Sequence, residues 1–325
     1  MINEGIINAN KLRDMTSHDC VQALRRITGI KRIGHTGTLD PQAEGVLPIC
    51  IGGAARIMEY LDLDFKKYKC EMKLGLTTET QDIWGEVISD RRDRMNGINT
   101  EGVIRAFKSF DGLIEQAPPK YSAVRYAGRR LYEYARAGEA VEIKKRRVFI
   151  KDILVTEIDL PVHRVKFDVT CSKGTYVRAI CNDIGEMLGC GGAMSGLTRL
   201  ASGVFGIDEA VRLDELSGMD EGGINSLVKP ADYPLVHFGS AIIRDKNEAR
   251  RFINGRPVAA GNAEVVATPE YSSKEPPFEI RLEYKKAYNM YEKGEGENVF
   301  LGVAFLDEGR GEFTVDKIFY RGTCR

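Results

Sequence analysis

Residues 165–188 change hydrophobic period in mid-run, which restricts the chain to folds where strands and helices share a core. Val165, Phe167, Val169 and Cys171 alternate with Lys166, Asp168 and Thr170, the repeat of a half-buried strand. Ser172-Lys173-Gly174 then turns the chain, and Ile180, Ile184 and Leu188 recur at helical spacing. Strand, tight turn and helix in succession put Thr175, Tyr176 and Arg178 near a helix start. Both periods recur upstream. Thr16-Ser17 followed by Val21, Leu24 and Ile27 gives a capped helix ending near Gly29, and a second helix fits Ala54 to Leu61. Lys66 to Gly75 is a strand entering a turn. Thr100 can cap a helix carrying Val103, Ile104, Phe107 and Phe110, which Gly112 helps to stop. Strands are expected around Val148 to Ile158. Mixed α+β is the expected class.

A second stretch, Gly34-His35-Thr36-Gly37-Thr38-Leu39-Asp40-Pro41, fixes one carboxylate in a constrained setting. Its two glycines permit sharp turns, and the proline biases Asp40 towards an extended conformation. Pro41 suits the first position of a following helix and Asp40 its cap, so a carboxylate is expected at a loop-to-helix junction. Taken alone, such an Asp-Pro pair reads as a structural cap.

The continuation, Gln42-Ala43-Glu44-Gly45-Val46-Leu47-Pro48 and then Gly52-Gly53-Ala54-Ala55-Arg56, carries a resemblance. With the preceding block it is similar to the signature GHTGTLDPxAxGVLPxxxGxATK of the TruB family of tRNA pseudouridine synthases. Four further blocks follow in the family's order. They are Lys67-Tyr68 with Leu74-Gly75 and Thr77 to Val87, Gln116 to Val141, Cys171 to Arg178, and Leu197 to Phe205. Guide-RNA-dependent synthases of the dyskerin type share the aspartate signature, but these blocks resemble the stand-alone bacterial group. One departure lies near the start, where the family's Lys-Pro-x-Gly turn is replaced by Lys11-Leu12-Arg13-Asp14.

The resemblance implies a largely antiparallel α+β pseudouridine synthase catalytic fold over residues 1–238. Within it an RNA-gripping thumb occupies about 116–144, and a small β-rich, PUA-like RNA-binding domain follows over 239–325. It implies Asp40 as the catalytic aspartate, Arg178 as its partner, and Tyr68 as the active-site tyrosine that stacks on the base. His35 would occupy space beside the displaced base. Lys11, Tyr121, Arg129, Arg130, Lys145, Lys173, Tyr176 and Leu197 are the expected RNA and substrate contacts. Read without the family, His35 is a loop histidine bonded to backbone, Tyr68 a core tyrosine and Arg178 a surface helix residue, while Leu197 is equally a packing residue. An aspartate near its ordinary pKa of about 3.9 is ionised at neutral pH; a water-poor pocket would raise that value and Arg178 would oppose the rise. Extruding a uridine costs a few kcal/mol, and stacking on an aromatic returns roughly 1–3 kcal/mol.

Composition sets the outer bounds. The 325 residues are enough for two domains, and 43% hydrophobic with 29% charged residues describes a globular protein. No run of about 18 apolar residues suggests a membrane span. The start, Met1-Ile2-Asn3-Glu4-Gly5, lacks the order of a signal peptide, so a cytoplasmic location is expected. Seven cysteines and four histidines show no metal-ligand or CxxC spacing, so neither metal nor disulfide framework is expected. No P-loop is present, nor a GxGxxG after a convincing strand, and an isomerisation needs no cofactor. Net charge is zero, yet residues 120–151 hold ten Lys or Arg against three Glu, interleaved with Tyr121, Tyr126, Tyr132 and Tyr134. That local pattern points to RNA. The expected partner is the T-arm of tRNA, bound by a monomer needing no obligatory protein partner. A non-catalytic RNA-binding or tRNA-folding protein is the alternative, as is a synthase with another RNA target. After residue 238 the chain reads as a short helix, Asp245 to Ile253, stopped at Asn254-Gly255. Strands follow around Phe300 to Phe305 and Phe313 to Phe319, in a small, separate β-rich domain. The polar stretch 269–297 reads as an insertion or long loop.

Overall fold

The computed structural model describes residues 4–320. Cys324 and the first three residues, on which two of the readings above touch, lie outside them.

The backbone of the molecule is one ten-stranded, mostly antiparallel sheet. Its main path runs Val211–Arg212, Gly5–Lys11, Glu44–Ile51, Gly192–Ser202, Lys66–Leu74, Arg164–Cys171, Arg146–Asp159, Gly112–Gln116. Two neighbours are parallel, Val211–Arg212 with Gly5–Lys11 and Gly192–Ser202 with Glu44–Ile51. Lys66–Leu74 is central, with Tyr68 opposite Val169 on one side and Arg199 on the other. Its alternate residues Tyr68, Cys70, Met72 and Leu74 enter a core with Phe107, Phe167, Ile180 and Ile184. Phe107 meets Phe167 edge-on at 4.8 Å. The mixed α+β class and the period switch at 165–188 are both found: strand Arg164–Cys171, then helix Val177–Met187.

Local chemistry explains the ends of the helices. Ser17–Thr28 starts with a capping box, Thr16 against Asp19, and stops at Gly29 with φ 71°; such a cap stabilises by about 1 kcal/mol. The helix expected from Thr100 is Thr100–Lys108, but Asn99 caps it by accepting from the Gly102 N–H at 2.8 Å. Gly52–Leu63 is a 3-10 helix rather than an α-helix. No helix follows Pro41. The Ala43 N–H closes a turn on the Asp40 carbonyl at 3.0 Å, with Pro41 at its second position, and the strand Glu44–Ile51 begins at once. Pro41 suits a turn as well as a helix start, and the apolar run 46–51 pairs inside the sheet.

Beyond residue 238 a six-stranded sheet runs Val258–Ala259, Glu312–Ile318, Val299–Asp307, Ala287–Glu292, Gly239–Ile243, Ala263–Ala267. Ala287–Glu292 falls inside the stretch expected to be an insertion or loop, yet it is an interior strand. Nor is this region detached. Tyr271, Tyr284, Ala287 and Phe319 share a core cluster with Ala54, Ile57, Tyr60 and Leu61. Tyr284 Oη donates to the Glu59 carbonyl at 2.6 Å, and Arg56 donates to the Ile318 carbonyl. The tail sheet is thus fastened to the 3-10 helix that directly follows the signature strand.

Candidate active site

The loop bearing Asp40 is anchored residue by residue. Ser17, at the start of its helix, exchanges hydrogen bonds with Leu39: Oγ donates to the Leu39 carbonyl at 3.1 Å, and the Leu39 N–H donates back at 2.9 Å. Lys11 is fully buried, and its ammonium donates to the carbonyls of Leu12, Pro41 and Ala43 at 2.9, 3.1 and 2.5 Å. All three protons are used inside the protein. The ammonium expected to contact RNA thus ties the loop to the strand Gly5–Lys11. The departure at 11–14 leaves the turn intact. Asp14 takes φ 62° in the left-handed region, where the family pattern has glycine. Its N–H donates to the Pro41 carbonyl at 3.0 Å, and its carboxylate accepts from Gln42 at 2.9 Å.

Asp40 faces Arg178. Nη2 donates to Oδ1 at 3.2 Å, and Nε lies 2.9 Å from Oδ2 without hydrogen-bond alignment. The arginine side chain is 6% exposed and the aspartate side chain 36%, so the carboxylate is the open member of the pair. Arg178 also donates to the carbonyls of Thr80 and Tyr121 at 2.8 and 3.1 Å, and its Nη1 lies 3.6 Å from Oδ2 of Asp82. Asp82, inside the Thr77 to Val87 block but not singled out in it, therefore completes an Asp–Arg–Asp arrangement. Gln81, between Thr80 and Asp82, has φ 64°, so both flanking groups can face one guanidinium.

Tyr68 and His35 lie on the same side of the sheet system. Tyr68 is buried, and burial pushes its phenol up while the Arg199 guanidinium draws it down. Burial, then the charges of Arg199 and His18, hold His35 below the usual histidine range, so at neutral pH it is an uncharged ring. Its Nδ1 is buried with no protein partner. Leu197 is buried beside Tyr68 in the same cluster. Tyr176 begins the arginine's helix, where its backbone is clamped by Gln116: N–H to Oε1 at 2.8 Å, and Nε2 to the carbonyl at 3.1 Å.

The basic segment forms a hairpin, Arg125–Tyr126 with Arg129–Arg130, followed by the helix Leu131–Arg136. Arg129 is engaged internally, pairing with Glu139 at 3.1 Å and covering the Tyr134 ring at 4.2 Å. Arg130 and Lys145 are exposed. A cleft of about 590 Å³ opens between this segment and Leu76–Asp90, lined by Gln81, Ile88, Tyr121 and Leu131 among others. Tyr121 closes one side by donating to Glu79 at 3.1 Å. The cleft reaches Tyr121, whose carbonyl accepts from Arg178, while Thr80, Asp82 and Asp40 stand outside its lining. Lys173 lies away from this cleft, exposed and paired with Asp62. Among the described residues no group of three or more His, Cys, Asp or Glu converges to hold a metal, and no helix is long and apolar enough to cross a membrane.

The chain matches two family models in sequence: the TruB family pseudouridylate synthase N-terminal domain over residues 25–177, and the tRNA pseudouridylate synthase B C-terminal domain over 178–236. It is 40% identical to the tRNA pseudouridine synthase B of Clostridium kluyveri over 316 residues, covering 97% of this chain and 99% of the relative. With the protein of the same name from Alkaliphilus oremlandii it is 45% identical over 251 residues, 77% of this chain and 81% of the relative. Among solved structures, a Cbf5-Nop10-Gar1 complex superposes with TM-score 0.70 at 24% identity, covering 97% of this chain and 85% of that one. An H/ACA RNP bound to a substrate RNA containing 2'-deoxyuridine gives 0.68 at 21%, covering 98% and 85%. These two likenesses concern the fold.

Proposed function

The chain belongs to the TruB family of pseudouridylate synthases, and from that premise we propose that it isomerises uridine 55 in the T-loop of tRNA, with Asp40 as nucleophile on an extruded base. The bond from ribose C1' to N1 of uracil breaks, the base turns, and C1' rejoins through C5. The C5 proton leaves as N1 gains one, so the product is an isomer.

The observation that carries this reading is the contact of Asp40 with a buried Arg178. A guanidinium against a part-open carboxylate fixes its direction by charge-assisted contact, which a nucleophile needs. Asp82 fixes the arginine from its other side. Tyr68 supplies a face for the detached base and is a candidate to take the C5 proton, and a neutral His35 occupies space beside the displaced base. The thumb and a PUA-like tail over 239–325 hold the RNA backbone. On this reading the enzyme is cytoplasmic and monomeric and acts without a protein partner.

The test is incubation with unmodified tRNA followed by a pseudouridine-specific chemical adduct mapped along the sequence. Adduct at position 55 is expected. Adduct elsewhere would reassign the target, and binding without any adduct would favour an RNA-folding role.

A further inference from the structure

Arg199 is the bulkiest side chain that the fold buries almost completely, 1% exposed. It stands on Gly192–Ser202 directly opposite Tyr68 on Lys66–Leu74, so the two side chains leave the sheet on one face. Its position is enforced from the other neighbour too. Gly45 has φ 103°, and a β-carbon there would meet the Arg199 carbonyl oxygen at 2.3 Å, so only glycine lets the strands approach.

The guanidinium spans the catalytic loop. Nε donates to the Val46 carbonyl at 2.6 Å and Nη2 to the Gly37 carbonyl at 3.2 Å. Those carbonyls bracket Asp40, while Lys11 holds the middle of the same loop at Pro41 and Ala43. Both of the Arg199 acceptors are neutral carbonyls rather than carboxylates. A buried cation is costly, and a neutral side chain could serve for packing alone.

We propose that Arg199 is a positioning residue for the isomerisation, holding the phenol of Tyr68 in register with the loop that carries His35 and Asp40. The inference rests on the reading of Tyr68 and Asp40 given above. Its charge leaves a signature that shape alone would not. Tyr68 faces Arg199, Cys171 and Asp40, and Arg199 is the cation that draws the phenol down. His35 faces Arg199 and His18, and both lower it. Lys66 faces Arg199, Asp64, Cys171 and Lys173, and burial together with Arg199 brings it to about 8.

The experiment uses the full chain with Arg199→Lys, Arg199→Gln and Tyr68→Phe, alone and combined. Single-turnover rates on unmodified tRNA, tRNA affinity and the His35 ring titration by NMR are the readouts. Arg199→Lys keeps the charge but loses the fork, and should slow turnover by about tenfold or more with affinity within about threefold. On the Tyr68→Phe background the same change should cost less than about threefold, because the two act as one unit. Arg199→Gln should move the His35 midpoint upward. Should Arg199→Gln not fold, Arg199→Lys and its combination with Tyr68→Phe carry the test. Equal penalties in both backgrounds, or a parental rate in Arg199→Lys, would overturn the proposal alone. A parental rate in Tyr68→Phe would overturn the reading of Tyr68 and the proposal with it.

Discussion

Arg178 lies against Asp40, with Nη2 3.2 Å from Oδ1 and Nε 2.9 Å from Oδ2, although the two residues are 138 positions apart in the chain. One comes from a loop held by Ser17 and Lys11, the other from a helix whose first turn is clamped by Gln116. Asp40→Asn keeps the shape of this contact but removes the anion. Isomerisation should be abolished while tRNA affinity stays within about tenfold, since phosphate contacts dominate affinity. Near-normal single-turnover rates for Asp40→Asn would refute the assignment.

Asp82 reaches Arg178 from the side away from Asp40. In Asp82→Asn the arginine keeps its bonds to Asp40, Thr80 and Tyr121 but loses one charge partner. A fall of about ten- to a hundredfold in single-turnover rate is expected, with little change in binding. Equal losses in rate and affinity would mean that Asp82 serves the fold of the 76–90 hairpin instead.

How much of this site could be read from sequence follows from the range of the interactions. Asp40, His35 and Tyr68 sit in short contiguous blocks, so the family resemblance singles them out, whereas from the residues alone they read as a cap, a loop histidine and a core tyrosine. Asp82 has no such local mark; its meaning arises only when Arg178 arrives from another element. Arg199 is hidden for the opposite reason. In an alternating strand a charged residue reads as solvent-facing, and only the close approach at Gly45 shows that this one is buried. The turn at Pro41 was ambiguous because proline presets the same φ for a helix start and a β-turn. Ala287–Glu292 is hidden among charged neighbours; one pairing partner is the next strand, Val299–Asp307, but the other, Gly239–Ile243, lies far off in sequence.

Asp14 allows the altered turn to be tested directly. Asp14→Gly relieves left-handed strain but forfeits the bond from Gln42, so stability should change by less than about 1 kcal/mol. Asp14→Val, β-branched at the same φ, should lose about 1–3 kcal/mol. Urea denaturation of the two variants distinguishes these cases, and equal losses would show that the backbone angle at residue 14 carries no strain.

Asp64 gives a pH dependence of defined sign. It is buried, and burial pushes its carboxyl up to about 6, against the opposing charges of Lys66, His237 and Lys173. The folded state therefore binds this proton more tightly than the unfolded chain, whose aspartates titrate near about 3.9. Stability from this group is fully present below about pH 4 and lost as pH rises through 6. The loss is roughly two units, on the order of 3 kcal/mol. Asp64→Asn should be more stable than the parent at pH 7.5, and the advantage should vanish near pH 4. A gap between the two urea midpoints that stays constant with pH would remove burial of the charge as its cause.

The basic segment around the hairpin 125–130 makes a graded prediction because its basic residues are not equivalent. Arg129 is already paired with Glu139 and stacked on Tyr134, whereas Arg130 and Lys145 face solvent. If the segment grips phosphate, replacing Arg130 or Lys145 by Gln should each reduce the slope of log affinity against log salt by about one unit. Arg129→Gln should reduce it less, because its charge is partly spent inside the protein and its loss also frees Glu139 to repel the RNA. Affinity would then fall for Arg129→Gln with a smaller change in slope. Filter binding of unmodified tRNA over a salt series separates the two effects. Identical slopes for all three variants and the parent would assign the segment to the solvated surface.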